Sequence, residues 1–199
     1  MYIIKKVNHK IECMNDSVWE NANVANIACR NWRDFEYIPH TTAKLLYSDY
    51  GIHIQMESEE YPILARYRHQ NTSVCTDSCM EFFFSPKEDV NRYFNFEFNP
   101  FGTMYLGWCQ SRDDVINPEE DKTYFEVKTQ TGEKSWKLQF TVPFDFLNKY
   151  AGGYSKVMRG NFYKCGNDTP QRHYLSFYPL HATTRDFHRP EYFGEIAFE

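Results

Sequence analysis

A chain of 199 residues is long enough for one sizeable hydrophobic core, so we predict a single domain over residues 1–199. Its formal net charge of −5, with acidic and basic residues interspersed, gives no indication of the basic patch on which nucleic-acid binding depends. No apolar run reaches the length of a membrane-spanning segment. Aromatic residues form 18% of the chain, which favours β-strands.

Short segments of alternating apolar and polar residues, separated by turns, run along the whole chain. Alternation predicts strands, because successive side chains of a strand point to opposite faces. In chain order the predicted strands are Met1–Val7, Val24–Cys29, Thr42–Tyr47, Ile52–Glu57, Asp77–Ser85, Tyr93–Asn99, Thr103–Trp108, Thr123–Thr129, Trp136–Val142, Val157–Cys165, Arg172–Tyr178 and Gly194–Glu199. With one or two short helical turns, such as Phe144–Tyr150, this pattern predicts an all-β fold: an antiparallel β-sandwich of the immunoglobulin-like or jelly-roll-like two-sheet type.

Two of these strands, Asp77–Ser85 and Tyr93–Asn99, are joined by the turn Pro86–Arg92 and predict an antiparallel hairpin. One face of the hairpin is entirely apolar and belongs to the core. The other face carries a mixture of carboxylate, amide and aromatic side chains, namely Glu81, Phe83, Tyr93, Asn95, Glu97 and Asn99. Such a mixture is unusual for a face that is merely solvated, so it is the main indication of function.

A sugar ring has apolar C–H faces and a periphery of hydroxyl groups. Aromatic side chains cover such faces, and carboxylates or amides form hydrogen bonds with adjacent hydroxyls. The mixed face of the hairpin therefore predicts a sugar-binding site. Its residues are Glu81, Tyr93, Asn95, Glu97 and Asn99, with Tyr67 and Phe177 among the candidate aromatic plates.

Several of these residues also have a purely structural interpretation. Phe83 and Tyr93 are equally suited to cover the sheet beneath a loop. The alternation around Phe177 is typical of a core position, and Glu97 also fits a salt bridge on a strand surface. Glu81, placed between large apolar residues, is explained better by a functional role.

The cysteines and histidines form no recognisable metal-binding pattern. Six cysteines match no zinc spacing, and free thiols are expected rather than disulfides. The spacings between His173, His181 and His188 match no common ligand pattern either. We therefore predict no metal site and no cofactor.

The amino-terminal segment Met1–Lys6 lacks the apolar stretch of a signal peptide. The chain as numbered is therefore expected to be cytoplasmic, or extracellular if a signal peptide has been removed.

Four segments occur in a recognisable order. The first, Asp77–Phe84, reads D-S-C-M-E-F-F-F, and the second, Trp136–Leu147, reads W-K-L-Q-F-T-V-P-F-D-F-L. Asn161–Asp168 with Arg172–Phe177 comes third, and Pro190–Gly194 (P-E-Y-F-G) precedes the last strand. In this order the segments resemble carbohydrate-binding module family 9 in its free-standing form. The first is similar to the family's D-S-x-E-h-F strand with one additional residue.

The resemblance implies a β-sandwich that binds a sugar without cleaving it. It places Glu81 at the family's sugar-contacting glutamate and Phe177 at the second of two tryptophans that grip the sugar, and it adds Asn161 to the site. The first tryptophan falls near Cys75, and an arginine of the family falls near Glu97, so neither is matched in residue type. Calcium occurs in such modules, but no contiguous acidic loop here provides a site.

Three functions stay open at this point. The first is a non-catalytic module that recognises a mono- or oligosaccharide, including its reducing end. The second is a glycoside-cleaving domain in which Glu81 and Glu97 act as the two carboxyls. The third is a structural or protein-interaction sandwich that has lost its sugar cleft. No nucleophile–base pair or phosphate loop is recognisable, so a non-enzyme is favoured, with carbohydrate as the partner and a separate glycoside hydrolase or a second copy as further partners.

Overall fold

The computed structural model describes residues 1–89 and 91–199, and within them the chain forms fourteen strands and one α-helix. The first seven strands are β1 Tyr2–Lys6, β2 Val24–Asn26, β3 Cys29–Arg30, β4 His40–Tyr47, β5 Gly51–Glu59, β6 Cys79–Ser85 and β7 Tyr93–Phe98. The others are β8 Met104–Cys109, β9 Val115–Ile116, β10 Lys128–Thr131, β11 Ser135–Pro143, β12 Val157–Cys165, β13 Tyr174–Ser176 and β14 Gly194–Phe198. Val90, in the predicted turn Pro86–Arg92, lies outside the described residues.

The helix α1 spans Phe144–Ala151 and begins directly after Pro143, close to the predicted segment. It ends at Gly152, which adopts the left-handed conformation with φ of 65° that a residue without a side chain tolerates best. In the described part of the chain, three short 3-10 helices cover Ser17–Asn21, Val74–Thr76 and Pro190–Tyr192. Within the described residues, none of the helices combines the length and the apolar character needed to cross a membrane.

The strands follow the order β10-β11-β5-β4-β1-β14-β12-β6-β7-β8-β9, with β2 added to β4 and β13 and β3 added beside β12. The sheet curls so that its two halves pack against each other, which confirms the predicted sandwich class. Its pairing is antiparallel except at β1, which runs parallel to both β4 and β14. This departure arises because β1 joins the two halves. Its neighbours are separated from it by long stretches of chain and not by hairpins, so nothing forces an antiparallel direction.

The apolar faces of the two halves meet in the main core, which includes Leu45, Ile54, Phe82, Phe96, Phe98 and Phe140. The rings of Phe96 and Phe98, from β7, lie 5.6 and 4.7 Å from that of Phe140, on the opposite half. Full burial of one such side chain stabilises the fold by roughly 1.5–3 kcal/mol. Trp108 is buried in the same core, as its alternation with Met104 and Leu106 predicts.

The outer face of β6, β7, β8 and β12 is not exposed to solvent. Long connections between strands cover it, and their side chains form a second cluster with those of the sheet, including Trp32, Phe83, Tyr93, Tyr163, Phe187 and Phe193. The mixed face of the predicted hairpin therefore lies beneath loops.

Candidate functional site

A cavity of about 740 Å³ lies between the outer face of the sheet and the loops that cover it. Its floor is formed by Glu81 from β6, Glu97 from β7 and Cys165 from β12. Its volume falls within the roughly 300–1,000 Å³ that is usual for small-ligand sites. The remaining lining comes mostly from the connections β3–β4, β12–β13 and β13–β14. Aromatic, arginine and aspartate side chains predominate in it.

The two carboxyls of the floor are register partners, because Glu81 pairs with Glu97 across the β6–β7 hairpin. Cys165 Sγ donates a hydrogen bond to Glu81 Oε1 at 2.9 Å, and Asn95 Nδ2 donates one to Glu97 Oε1 at 2.9 Å. Burial, followed by the charge of Glu97, raises the pKa of Glu81 well above its usual range. Burial also raises the pKa of Glu97 to about 7, against the opposing effects of Asn95 and Arg112. A partly protonated pair of this kind can both donate and accept hydrogen bonds.

Aromatic rings form one wall of the cavity. Trp32 Nε1 donates to the Ala182 carbonyl at 3.0 Å, which fixes the indole, and its ring lies 6.1 Å from Tyr174 and 5.8 Å from Phe187. Phe187 is held in turn by stacking on Tyr163 at 4.2 Å. These contacts orient the rings, and the wall offers flat apolar surfaces beside the carboxyl floor.

An arginine reaches the floor from the connection between β8 and β9. Arg112 Nη2 donates to Asp186 Oδ1 at 2.7 Å, and the same oxygen accepts from the His188 backbone N–H at 3.0 Å. His188 Nδ1 lies 2.7 Å from the Tyr93 hydroxyl, so this loop is tied down onto β7. The charge of Arg112 also lowers the pKa of Glu97. No sequence pattern in this loop predicted that Arg112 would lie at the cavity.

Asp77, fully buried, organises the loop before β6. Its carboxylate accepts from Arg66 Nε at 2.9 Å and from Asn99 Nδ2 at 3.0 Å. Arg66 Nη2 also donates to Asp168 Oδ2 at 2.9 Å, and Asp168 lines the cavity. This network connects two loops beside the cavity. Asn99 belongs to the same network, because its side-chain amide also donates a hydrogen bond to the Tyr67 carbonyl at 2.8 Å.

Of the eight residues predicted to bind sugar, the structure brings two together at the cavity: Glu81 and Glu97. Tyr93 and Asn95 are buried beneath the loops, where they hold His188 and Glu97. Neither lines the cavity, and the same is true of Asn99 and Tyr67, Asn161 and Phe177.

Phe177 lies on the other side of the sheet. Leu175 and Phe177 are two residues apart and both contact the main core, where Phe177 packs 6.1 Å from Tyr2 and 6.0 Å from Phe162. Tyr174, of the opposite parity, lines the cavity. Phe177 therefore lies against the main core and does not line the cavity. Its assignment to the sugar site by resemblance stays a prediction.

Asn161 has a structural role on β12. Its Oδ1 accepts from the Tyr178 backbone N–H at 2.9 Å, and its Nδ2 donates to the Tyr178 carbonyl at 3.0 Å. The side chain therefore fixes the chain as it leaves β13.

The donor set of the site does not suit calcium. Among the described residues, one group of three metal-ligating side chains lies close together: Cys79, Glu81 and Cys165. Calcium takes oxygen ligands, and two of these three ligands are sulfur. The histidines are dispersed into separate contacts, and all six cysteines, each in the described part of the chain, are free.

The sandwich and its loop-covered cavity define a ligand-binding β-sandwich module. The sequence profile of carbohydrate-binding family 9 matches residues 13–198, and the chain belongs to this family. No curated protein matches the chain.

Solved structures are similar over the whole chain. A Bacteroides uniformis protein that is assumed to bind carbohydrate is 26% identical, with a TM-score of 0.85, and the match covers 99% of this chain and 98% of that one. A family 9 carbohydrate-binding module of Caldicellulosiruptor kristjanssonii is 14% identical, with a TM-score of 0.68, in its complexes with glucose and with cellotriose. These matches cover 99% and 100% of this chain and 94% and 93% of the module. At 14% identity the likeness shows the shared fold.

Proposed function

We propose that this protein is a non-catalytic carbohydrate-binding module that holds a saccharide in the cavity above Glu81 and Glu97. The observation that carries the proposal is the floor itself, where two buried carboxyls lie beside a wall of aromatic rings. Aromatic rings cover the C–H faces of a pyranose, and carboxyls bond its hydroxyls. The cavity has room for a small saccharide.

The position of the carboxyl pair favours binding over cleavage. Glycoside hydrolysis places one carboxyl on each side of the scissile bond, as acid and as base or nucleophile. Here Glu81 and Glu97 project from register positions on neighbouring strands, so both approach a ligand from the same side. Cleavage of the bound saccharide would then be the work of a separate glycoside hydrolase.

Glucose and cello-oligosaccharides are the first ligands to test, because structures of the similar Caldicellulosiruptor module show it in complex with glucose and with cellotriose. Affinities in the micromolar to millimolar range are expected, about −4 to −8 kcal/mol, since a short saccharide buries little surface. A two-dimensional amide NMR titration detects binding this weak, and one-dimensional spectra of the same samples report any cleavage.

Tyr174→Ala, in the cavity wall, is expected to weaken binding at least tenfold. Tyr154→Ala provides the matched control, because Tyr154 is an exposed tyrosine that stacks on Phe144 outside the cavity. Saturable shifts with unchanged sugar, lost in Tyr174→Ala and kept in Tyr154→Ala, would support the proposal. Release of a shorter sugar would contradict the non-catalytic part, and no shifts with any member of a broad panel would contradict sugar binding itself.

A further inference from the structure

Two cysteines and a glutamate converge beneath the cavity. Cys79 and Glu81 are two residues apart on β6, so their side chains lie on the same face of the strand. Cys165 on β12 is the register partner of Cys79. The two Sγ atoms and a carboxylate oxygen of Glu81 all lie within 4.8 Å of one another, and Cys165 Sγ is 2.9 Å from Glu81 Oε1.

We propose that Cys79, Glu81 and Cys165 form a binding site for one thiophilic divalent cation such as Zn²⁺. Two sulfurs and one oxygen are ligands that Zn²⁺ uses in proteins, at about 2.3 Å to sulfur and about 2.0–2.2 Å to oxygen. Around a tetrahedral ion with such bonds, neighbouring ligand atoms are roughly 3.3–3.8 Å apart. The observed spacing needs only small side-chain rotations to reach this arrangement.

The fourth position of the ion is available from two directions. Glu81 and Cys165 both line the cavity, so a water molecule there can complete a tetrahedral site. The Cys75 carbonyl oxygen also lies next to the site, 3.4 Å from Cys165 Sγ. The cavity further provides the path by which an ion enters.

The charged side chains around the three ligands favour a bound cation. Glu97 lies across the hairpin from Glu81 and adds a second buried carboxyl. Lys164, next in the chain to Cys165, is already paired with Glu60, and Arg112 is paired with Asp186.

Proton release is the expected partner of metal binding. Thiols and carboxyls bind Zn²⁺ in their deprotonated forms. Binding forms two metal–sulfur bonds and one metal–oxygen bond, and any protons that the ligands carry pass to solvent. No oxidation or reduction is involved. The metal site shares Glu81 and Cys165 with the floor of the cavity, but the proposal does not rest on sugar binding, and the experiment is carried out without sugar.

The experiment is a Cd²⁺ titration of untagged, chelator-treated protein kept reduced with a phosphine and free of sugar. Cadmium–thiolate charge transfer absorbs in the ultraviolet and reports sulfur ligation directly. Saturation at one equivalent is expected, with competition by Zn²⁺. Cys79→Ser and Cys165→Ser are expected to lose more than the roughly 10–100-fold in affinity that removal of an outer-shell partner costs, because each removes a ligand. Glu81→Gln keeps the sulfur absorbance and weakens binding.

Cys109→Ser is the matched control, since Cys109 is a buried thiol in the second cluster but is not one of the three ligands. It is expected to bind Cd²⁺ as the wild type does. If a serine variant does not fold, the wild-type protein still tests the proposal, because bound Zn²⁺ is expected to raise its Tm in a concentration-dependent manner. Absence of thiolate absorbance and of a Tm shift in the wild type, or unchanged saturation in both folded serine variants, would overturn the proposal.

Discussion

Glu81 and Glu97 face each other across the β6–β7 hairpin, and both are buried at the floor of the cavity. A buried carboxylate without a paired cation raises the free energy of the folded state, and a second one beside it adds like-charge repulsion. The folded state therefore tolerates this pair at a cost, which is a common property of ligand-binding positions.

Glu97→Gln is accordingly expected to stabilise the metal-free protein at pH 8, where the carboxyl is largely ionised. The glutamine oxygen can still accept the hydrogen bond from Asn95 Nδ2. The free energy of unfolding is expected to rise by about 1–2 kcal/mol, measured by urea denaturation. Glu195→Gln, at an exposed position on β14, is the control and should stay within about 0.5 kcal/mol. A loss of stability in Glu97→Gln would show that the ionised carboxyl is compensated in the fold.

Phe177→Ala is expected to lower the free energy of unfolding by about 2–4 kcal/mol, because it removes a ring packed on Tyr2 and Phe162. Sugar affinity should change little, since Phe177 does not line the cavity. Urea denaturation and the NMR titration measure the two effects separately. If Phe177→Leu, the milder variant, lost sugar binding while keeping its stability, the site would lie elsewhere than in the cavity.

The fold class could be predicted from the sequence because apolar and polar residues alternate with a period of two along the strands. The alternation of Met80, Phe82 and Phe84 against Cys79, Glu81 and Phe83 specified both faces of β6 before any coordinates were known. The parallel pairing of β1 could not be predicted, since it depends on which distant strands approach it and not on its own residues.

Only the floor of the site could be predicted. Glu81 and Glu97 lie on strands, where alternation decides which way a side chain points. Trp32, Arg112 and Phe187 lie in irregular connections, where no period relates sequence to direction, and they meet only because the loops fold over the sheet. The cluster of Cys79 and Cys165 could not be predicted either, because these residues are far apart in the sequence and become neighbours only through the pairing of β6 with β12.

The buried His53 is expected to make stability depend on pH. Its Nε2 lies 2.9 Å from Ser48 Oγ and its Nδ1 lies 3.0 Å from Thr141 Oγ1, and burial lowers its pKa from 6.5 to about 4. Glu126, Lys10 and His9 contribute smaller, partly cancelling charges.

Because the pKa of His53 is lower in the folded state, the unfolded chain binds the proton more tightly. Its contribution to stability is complete above pH 6.5 and is lost as the pH falls towards 4, by about 2–3 kcal/mol. Urea denaturation at pH 7.5 and pH 4.5 measures this, and His53→Gln serves as the reference because other groups titrate too. The wild type should lose more stability than the variant, and equal losses would contradict the assignment.

Lys164 and Glu60 form a buried ion pair, with Nζ 2.5 Å from Oε2 and both side chains almost fully buried. Lys164 Nζ also lies 2.9 Å from His173 Nε2, while Trp136 Nε1 donates to Glu60 Oε1 at 2.9 Å. Burial and the charge of Lys164 lower the pKa of His173 to about 3, so the neutral ring accepts from the lysine.

Lys164→Met is therefore expected to lower the free energy of unfolding by about 3–5 kcal/mol, because it leaves the Glu60 carboxylate buried without a cation. Adding Glu60→Gln removes that charge and keeps an oxygen for Trp136, so the double variant should recover part of the loss. Urea denaturation of both single variants and the double variant completes a double-mutant cycle. Additive losses would mean that the pair contributes no coupling energy, and that each side chain is held by its other neighbours.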